Sequence, residues 1–139
     1  IWGGAPVRFP GMKWVITEGG IGWIAAALGY ADAWWREGRQ RGAWMDPALP
    51  EPPSFYFKRN FAATFEDDRA GILTRDVTGV ETLLWGSDYP TSERAATYPQ
   101  SLDYIRKYCK FLSAADMDRI LCGTAASLYR FPEFGGSGT

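Results

Sequence analysis

The chain has 139 residues, with 15 Lys and Arg, 16 Asp and Glu, a net charge of −1 and no histidine. Its 46% hydrophobic and 22% charged residues suffice for one folded core, and the near-zero charge carries no footprint for nucleic acid or an anionic membrane. Without histidine there is no Ser-His-Asp triad, no Cys-His pair and no imidazole base within the chain, and Cys109 and Cys122 are too few for a thiolate zinc cage or a disulfide scaffold.

Met12-Lys13-Trp14-Val15-Ile16-Thr17 is β-rich and is entered through a turn at Pro10-Gly11, which predicts a first strand. Glu18-Gly19-Gly20 follows. Ile24, Leu28, Ala31 and Trp35 then recur at helical spacing, with Glu37-Gly38 as the expected stop. Of the pair Trp34-Trp35, one is expected to pack and the other to sit at the helix flank. Arg36, Arg39 and Arg41 read as a solvated helix end. From 39 to 56 the period dissolves around Pro47, Pro50, Pro52 and Pro53, so this stretch reads as an excursion loop, anchored by Trp44, Met45, Phe55, Tyr56 and Phe57.

Asn60-Phe61-Ala62-Ala63-Thr64-Phe65 is the second strand, and Glu66-Asp67-Asp68 leads into one helix over 69–77, capped by Asp68 and stopped by Gly79. Glu81-Thr82-Leu83-Leu84-Trp85-Gly86 is the third strand, apolar along its length as in a sheet covered on both faces, and Ser87-Asp88-Tyr89-Pro90 ends it. A helix over 99–111 presents Leu102, Ile105 and Cys109, with Pro99 in its first turn. A last helix opens on the capping box Ser113-Ala114-Ala115-Asp116, with a stripe of Met117, Ile120, Leu121, Ala125 and Leu128. Both cysteines fall in predicted helices and are expected to be small buried thiols. Residues 132–139 read as a flexible tail beyond a domain spanning 1–131. No apolar run approaches the roughly 18 residues of a membrane span, and no basic, apolar leader opens the chain.

Strands alternating with helices imply a parallel α/β sheet with right-handed crossovers. In such folds ligands bind beyond the carboxyl ends of the strands. All three strands end in acid, with Glu18, the Glu66-Asp67-Asp68 run and Asp88 expected at one rim. Clustered carboxylates suit a divalent cation, including an all-carboxylate Mg²⁺ or Mn²⁺ site, or acid/base catalysis. For residues 66–68 the plainer role is helix capping. Gly19-Gly20 beside Glu18 lets the backbone approach a ligand. Asp88 ends an apolar strand where a turn fixes its direction, with the hydroxyls of Ser87, Thr91 and Ser92 beside it.

Four blocks stand in order: Arg8-Phe9-Pro10-Gly11-Met12-Lys13-Trp14-Val15, Glu18-Gly19-Gly20-Ile21-Gly22-Trp23, Asn60 through Asp68, and Leu84-Trp85-Gly86-Ser87-Asp88-Tyr89-Pro90. With the closing stretch from Ile120 to Tyr129, they resemble the amidohydrolase-related (amidohydrolase 2) family of metal-dependent hydrolases, in its aminocarboxymuconate-semialdehyde decarboxylase-like branch. The resemblance covers nearly the whole chain. It implies the C-terminal half of a (β/α)8 barrel, a divalent metal that is commonly zinc, and a small-molecule substrate. Asp88 matches the family's last aspartate, which binds or approaches the metal and handles a proton. Glu18 falls where many relatives place a histidine, and is a second candidate for metal or substrate. Ser87 and Thr91 are expected to contact substrate.

The chain departs from the family pattern in three places. The His-x-His segment is absent, Thr91 stands where the family continues with histidine, and Thr124 stands for an asparagine. The expectation is a metal-dependent hydrolase or non-oxidative decarboxylase, cytoplasmic, whose remaining ligands lie in a missing N-terminal half, so that this chain is inactive alone. The alternative is a non-catalytic half-barrel acting as an oligomerising or interaction module. Substrate or partner contacts are expected from residues 47–53 and 91–97.

Overall fold

The computed structural model describes residues 1–41, 49–91 and 99–131. Three strands, β1 (Trp14–Ile16), β2 (Phe61–Phe65) and β3 (Leu83–Trp85), form a parallel sheet in the order β1-β2-β3. Trp14 lies opposite Phe61, and Ala63 pairs with both Ile16 and Leu83. The central strand can be covered on both faces because its middle is small: Ala62 and Ala63 are buried, flanked by the buried Phe65. β1 and β3 are the edges of the described sheet.

A short turn of helix that the sequence did not announce, α1 (Ala5–Arg8), opens the chain, with Pro6 in its first turn. α2 (Ile24–Arg41) buries Ile24 and Leu28 as expected, with Ala31 and Trp35 half-buried. Trp35 donates its indole N–H to the Leu49 carbonyl at 2.9 Å, while Trp34 is exposed. The helix does not stop at Gly38. An internal glycine costs only about 1 kcal/mol relative to alanine, less than a long amphipathic face returns.

The expected loop over 39–56 also needs correction, because Pro53 starts a helix instead of breaking one. In α3 (Pro53–Asn60), Pro52 is the extended cap and Pro53 takes the first turn, where no backbone donor is required. Tyr56 and Phe57 anchor it in the core, whereas Phe55 is 43% exposed. Trp44, Met45 and Pro47 lie outside the described residues.

The single helix expected over 69–77 is two: α4 (Arg69–Leu73) and α5 (Arg75–Thr78). They break at Thr74, whose hydroxyl donates to the Ala70 carbonyl at 2.9 Å and so competes with the backbone ladder. Gly79 closes α5 at φ 97, as its position predicts. The chain next makes a 3-10 turn (Val80–Thr82), so β3 starts two residues later than the apolar run suggests.

α6 (Ser101–Tyr108) buries Ser101, Ile105 and the following Cys109, so the inward stripe runs through 101, 105 and 109 and leaves Leu102 partly exposed. The last helix is broken into α7 (Ala114–Asp118), a π-helical turn (Arg119–Gly123) and α8 (Thr124–Tyr129). The wider π turn shifts the helical phase. After Ile120 the buried positions are therefore Thr124 and Ala126, and the expected Ala125 and Leu128 are only half-buried. Cys122 falls in this turn and is exposed, so only Cys109 is the buried thiol expected of both. Ser113 caps α7 by accepting the Asp116 N–H at 3.0 Å. The Asp116 carboxylate does not complete the box and pairs instead with Arg75 Nε at 3.2 Å.

Residues from every layer meet in one core, where Ile21, Ile24, Ile72, Leu83 and Ile105 are fully buried. Each contributes about 1.5–3 kcal/mol of burial. No described helix is long and apolar enough to cross a membrane. The tail at 132–139 lies outside the described residues.

Candidate functional site

Parallel pairing puts the carboxyl ends of all three strands at one rim. Glu18 follows β1, Glu66 follows β2 directly, and Asp88 follows β3. They line one open cleft of about 300 Å³, together with Thr17, Thr64, Phe65 and Gly86. The expected gathering of acids is thus present for Glu18, Glu66 and Asp88.

The two outer acids share an unusual backbone. Glu18 has φ 58 and Asp88 has φ 57. In this left-handed region a residue with a Cβ is strained by about 1–2 kcal/mol. At Glu18 the strain is held by the centre of the sheet, since its N–H donates to the Thr64 hydroxyl at 3.2 Å. At Asp88 a tight turn does the same work. Its carbonyl accepts the Thr91 N–H at 2.8 Å, and Ser87 Oγ accepts the Tyr89 N–H at 3.4 Å. Beneath it, Gly86 donates its N–H to the Phe65 carbonyl at 3.0 Å, which keeps the chain on β2 past the end of β3. Both acids are exposed, free to meet a ligand or another part of a larger barrel.

Asp67 and Asp68 leave the cleft. Asp68 caps α4 by accepting the Gly71 N–H at 2.9 Å, and its other oxygen accepts from Ile21 and Gly22 at 2.7 Å each. Asp67 accepts the Tyr104 hydroxyl at 3.2 Å. Burial and the Asp67 carboxylate push the Tyr104 phenol above its ordinary pKa. The capping role considered for this run is therefore the role of Asp68, and only Glu66 of the three faces the cleft.

Ser87 and Thr91 sit in the Asp88 turn and flank the cleft without lining it. Ser92, and with it residues 92–97, lie outside the described residues, as do 47 and 48. Two cleft hydroxyls escape sequence reasoning, those of Thr17 and Thr64. Thr64 left a signal, as the one polar residue in an apolar strand.

Among the described residues no three His, Cys, Asp or Glu side chains converge as a metal-holding group. Glu18, Glu66 and Asp88 share a cleft without forming such a set, so the carboxylate-only cation site weighed from the sequence is not built. The residues present do not fit a complete metal centre, which in most catalytic sites takes about three protein ligands.

A family model described as Amidohydrolase matches residues 2–131. Among solved structures, 5-carboxyvanillate decarboxylase from Sphingomonas paucimobilis is similar, with 27% identity and a TM-score of 0.70 over 93% of this chain and 37% of that one. An amidohydrolase from Mycobacterium avium subsp. paratuberculosis matches at 23% identity and a TM-score of 0.70, over 90% of this chain and 30% of its own, and at that identity supports the fold alone. No curated protein matches the chain. The chain spans about a third of the length of these solved structures. Its parallel sheet is an arc of a (β/α)8 barrel, as the sequence led us to expect.

Proposed function

Since the chain belongs to the amidohydrolase family, we propose that it supplies one side of the active site of a metal-dependent hydrolase or non-oxidative decarboxylase acting on a small molecule. The observation that carries this reading is the pairing of Glu18 and Asp88, two non-glycine acids held left-handed above one cleft at the carboxyl ends of parallel strands. Strain of this kind persists where surrounding structure enforces it, and it concentrates at functional sites. Asp88 is the catalytic carboxylate, taking and returning a proton at its side-chain oxygens. Glu18 binds substrate from the opposite edge of the cleft, and Ser87 and Thr91 orient it from the Asp88 turn.

The family is metal-dependent, and zinc is the ion the resemblance favours. Among the described residues, Asp88 and secondarily Glu18 are the donors we propose for it. They are too few to hold the ion alone, so the set is completed by other strands of the barrel. The open edges at β1 and β3 fit such completion, because unpaired strand edges seek partners. By itself the chain is inactive. A second reading, a non-catalytic half-barrel that pairs with another chain, draws on the same open edges and on the lack of a three-donor set among the described residues. We assign the enzyme to the cytoplasm.

Similarity to a 5-carboxyvanillate decarboxylase favours decarboxylation of an aromatic acid. Product analysis on the complete barrel tests this, with 5-carboxyvanillate and a panel of aryl esters and amides as probes. Release of CO₂ from the carboxylate is expected. Hydrolysis of the esters or amides alone would move the reading to a hydrolase, and no turnover of any probe would favour the non-catalytic module.

A further inference from the structure

Glu18 donates its N–H to Thr64, and a carboxylate outside the cleft bonds the turn that follows it. Asp68 Oδ2 accepts the N–H groups of Ile21 and Gly22 at 2.7 Å each, across 47 and 46 residues of sequence, while Oδ1 accepts Gly71 at 2.9 Å. One side chain thereby satisfies three backbone donors and ties the turn after β1 to the start of α4. Such bonds to an ionised oxygen are roughly twice as strong as neutral ones.

The glycines beside Glu18 match this clamp. A Cβ on Gly20 would stand 3.1 Å from Asp68 Oδ2, and one on Gly22 would stand 2.8 Å from Oδ1. Gly20 is itself left-handed at φ 62. The Glu18-Gly19-Gly20-Ile21-Gly22 segment therefore leaves room for the Asp68 carboxylate to reach the backbone. Glu18 lies between this clamp and the end of β1.

We propose that Asp68 is a positioning residue for Glu18. Its carboxylate fixes the 19–22 turn, and the turn together with Thr64 keeps Glu18 left-handed over the cleft. Asp68 takes no part in chemistry, because backbone amides engage both of its oxygens. The functional meaning of the clamp rests on Glu18 as a substrate-binding carboxylate; its geometry does not.

Backbone NMR of the full chain carrying Asp68→Asn or Gly22→Ala tests the proposal. Asparagine keeps one acceptor oxygen and cannot serve both the 21–22 pair and Gly71. Gly22→Ala leaves Asp68 in place but crowds its carboxylate. In both variants Glu18 should lose the left-handed signature in its Cα shift and its amide–Hα coupling, while residues 61–63 keep their strand signatures. In Asp68→Asn the Ile21 and Gly22 amide protons should also move upfield. A Glu18 that stays left-handed in both variants would overturn the proposal.

In the complete barrel, with 5-carboxyvanillate as probe, Glu18→Gln should raise KM several-fold, and adding Asp68→Asn should change KM no further. An equal added rise from Asp68→Asn would show that Asp68 acts independently of Glu18, against the proposal. An unchanged KM in Glu18→Gln would overturn the substrate role of Glu18 and leave the NMR result to decide the clamp.

Discussion

The hydroxyl of Thr64 accepts the backbone N–H of Glu18 at 3.2 Å, so the central strand holds the residue at which the first strand turns away. Thr64→Val keeps the shape and removes the acceptor. It should destabilise the protein by about 1 kcal/mol, whereas Thr64→Ser should stay within about 0.5 kcal/mol of wild type. Denaturant unfolding of the two variants side by side measures the difference.

Gly71 marks the closest approach of α4 to the turn after β1. A Cβ there would lie 2.2 Å from the Ile21 side chain and 2.8 Å from its backbone carbon, and Ile21 is fully buried. Gly71→Ala should cost about 1–3 kcal/mol through overpacking, despite alanine's better helix propensity. Gly11→Ala, with open space around it, should fall within about 0.5 kcal/mol of wild type. Midpoints of denaturant unfolding decide between them.

The Arg75–Asp116 pair at 3.2 Å joins α5 to α7, with side chains 20% and 28% exposed. Partial exposure limits its value, and a double-mutant cycle with Arg75→Met and Asp116→Asn should give a coupling of about 0.5 kcal/mol. Repeating the cycle at high salt should shrink the coupling. A coupling that grows with salt would contradict the assignment of an ion pair.

The two cysteines should differ sharply toward alkylation. Cys122 is exposed, while Cys109 is buried and its thiol is pushed up to about 11, chiefly by burial and against the lowering effect of Arg69. Only the thiolate reacts. Because the folded pKa is raised, Cys109 stays protonated from neutral to mildly alkaline pH. Mass spectrometry after iodoacetamide treatment should find Cys122 modified and Cys109 intact until denaturant is added.

Much of this architecture is legible in the amino-acid sequence. The run from Asn60 to Phe65 reads as a strand, the apolar run at Leu83-Leu84-Trp85 reads as a strand covered on both faces, and Asp68 reads as a cap because an acid precedes a helical pattern. The α3 helix is hidden because Pro52-Pro53 carries opposite meanings at a helix start and in a helix interior. The π turn is hidden as well, since the apolar spacing from Met117 to Leu128 fits an unbroken helix until one turn widens. At the candidate site, alternation of strand and acid foretells that Glu18, Glu66 and Asp88 share a rim. The left-handed backbone of Glu18 and Asp88 has no such signal, because glycine usually marks that conformation. The Asp68 clamp spans 46 residues and follows only from the parallel register that brings β1 and β2 together.

Turnover by the complete barrel carrying Asp88→Asn is the most direct measurement of whether this rim is catalytic. The substitution preserves shape and removes the carboxylate's ability to exchange a proton, so kcat should fall by about 10²-fold or more while the melting temperature stays near that of wild type. A folded Asp88→Asn protein with undiminished kcat would contradict the assignment.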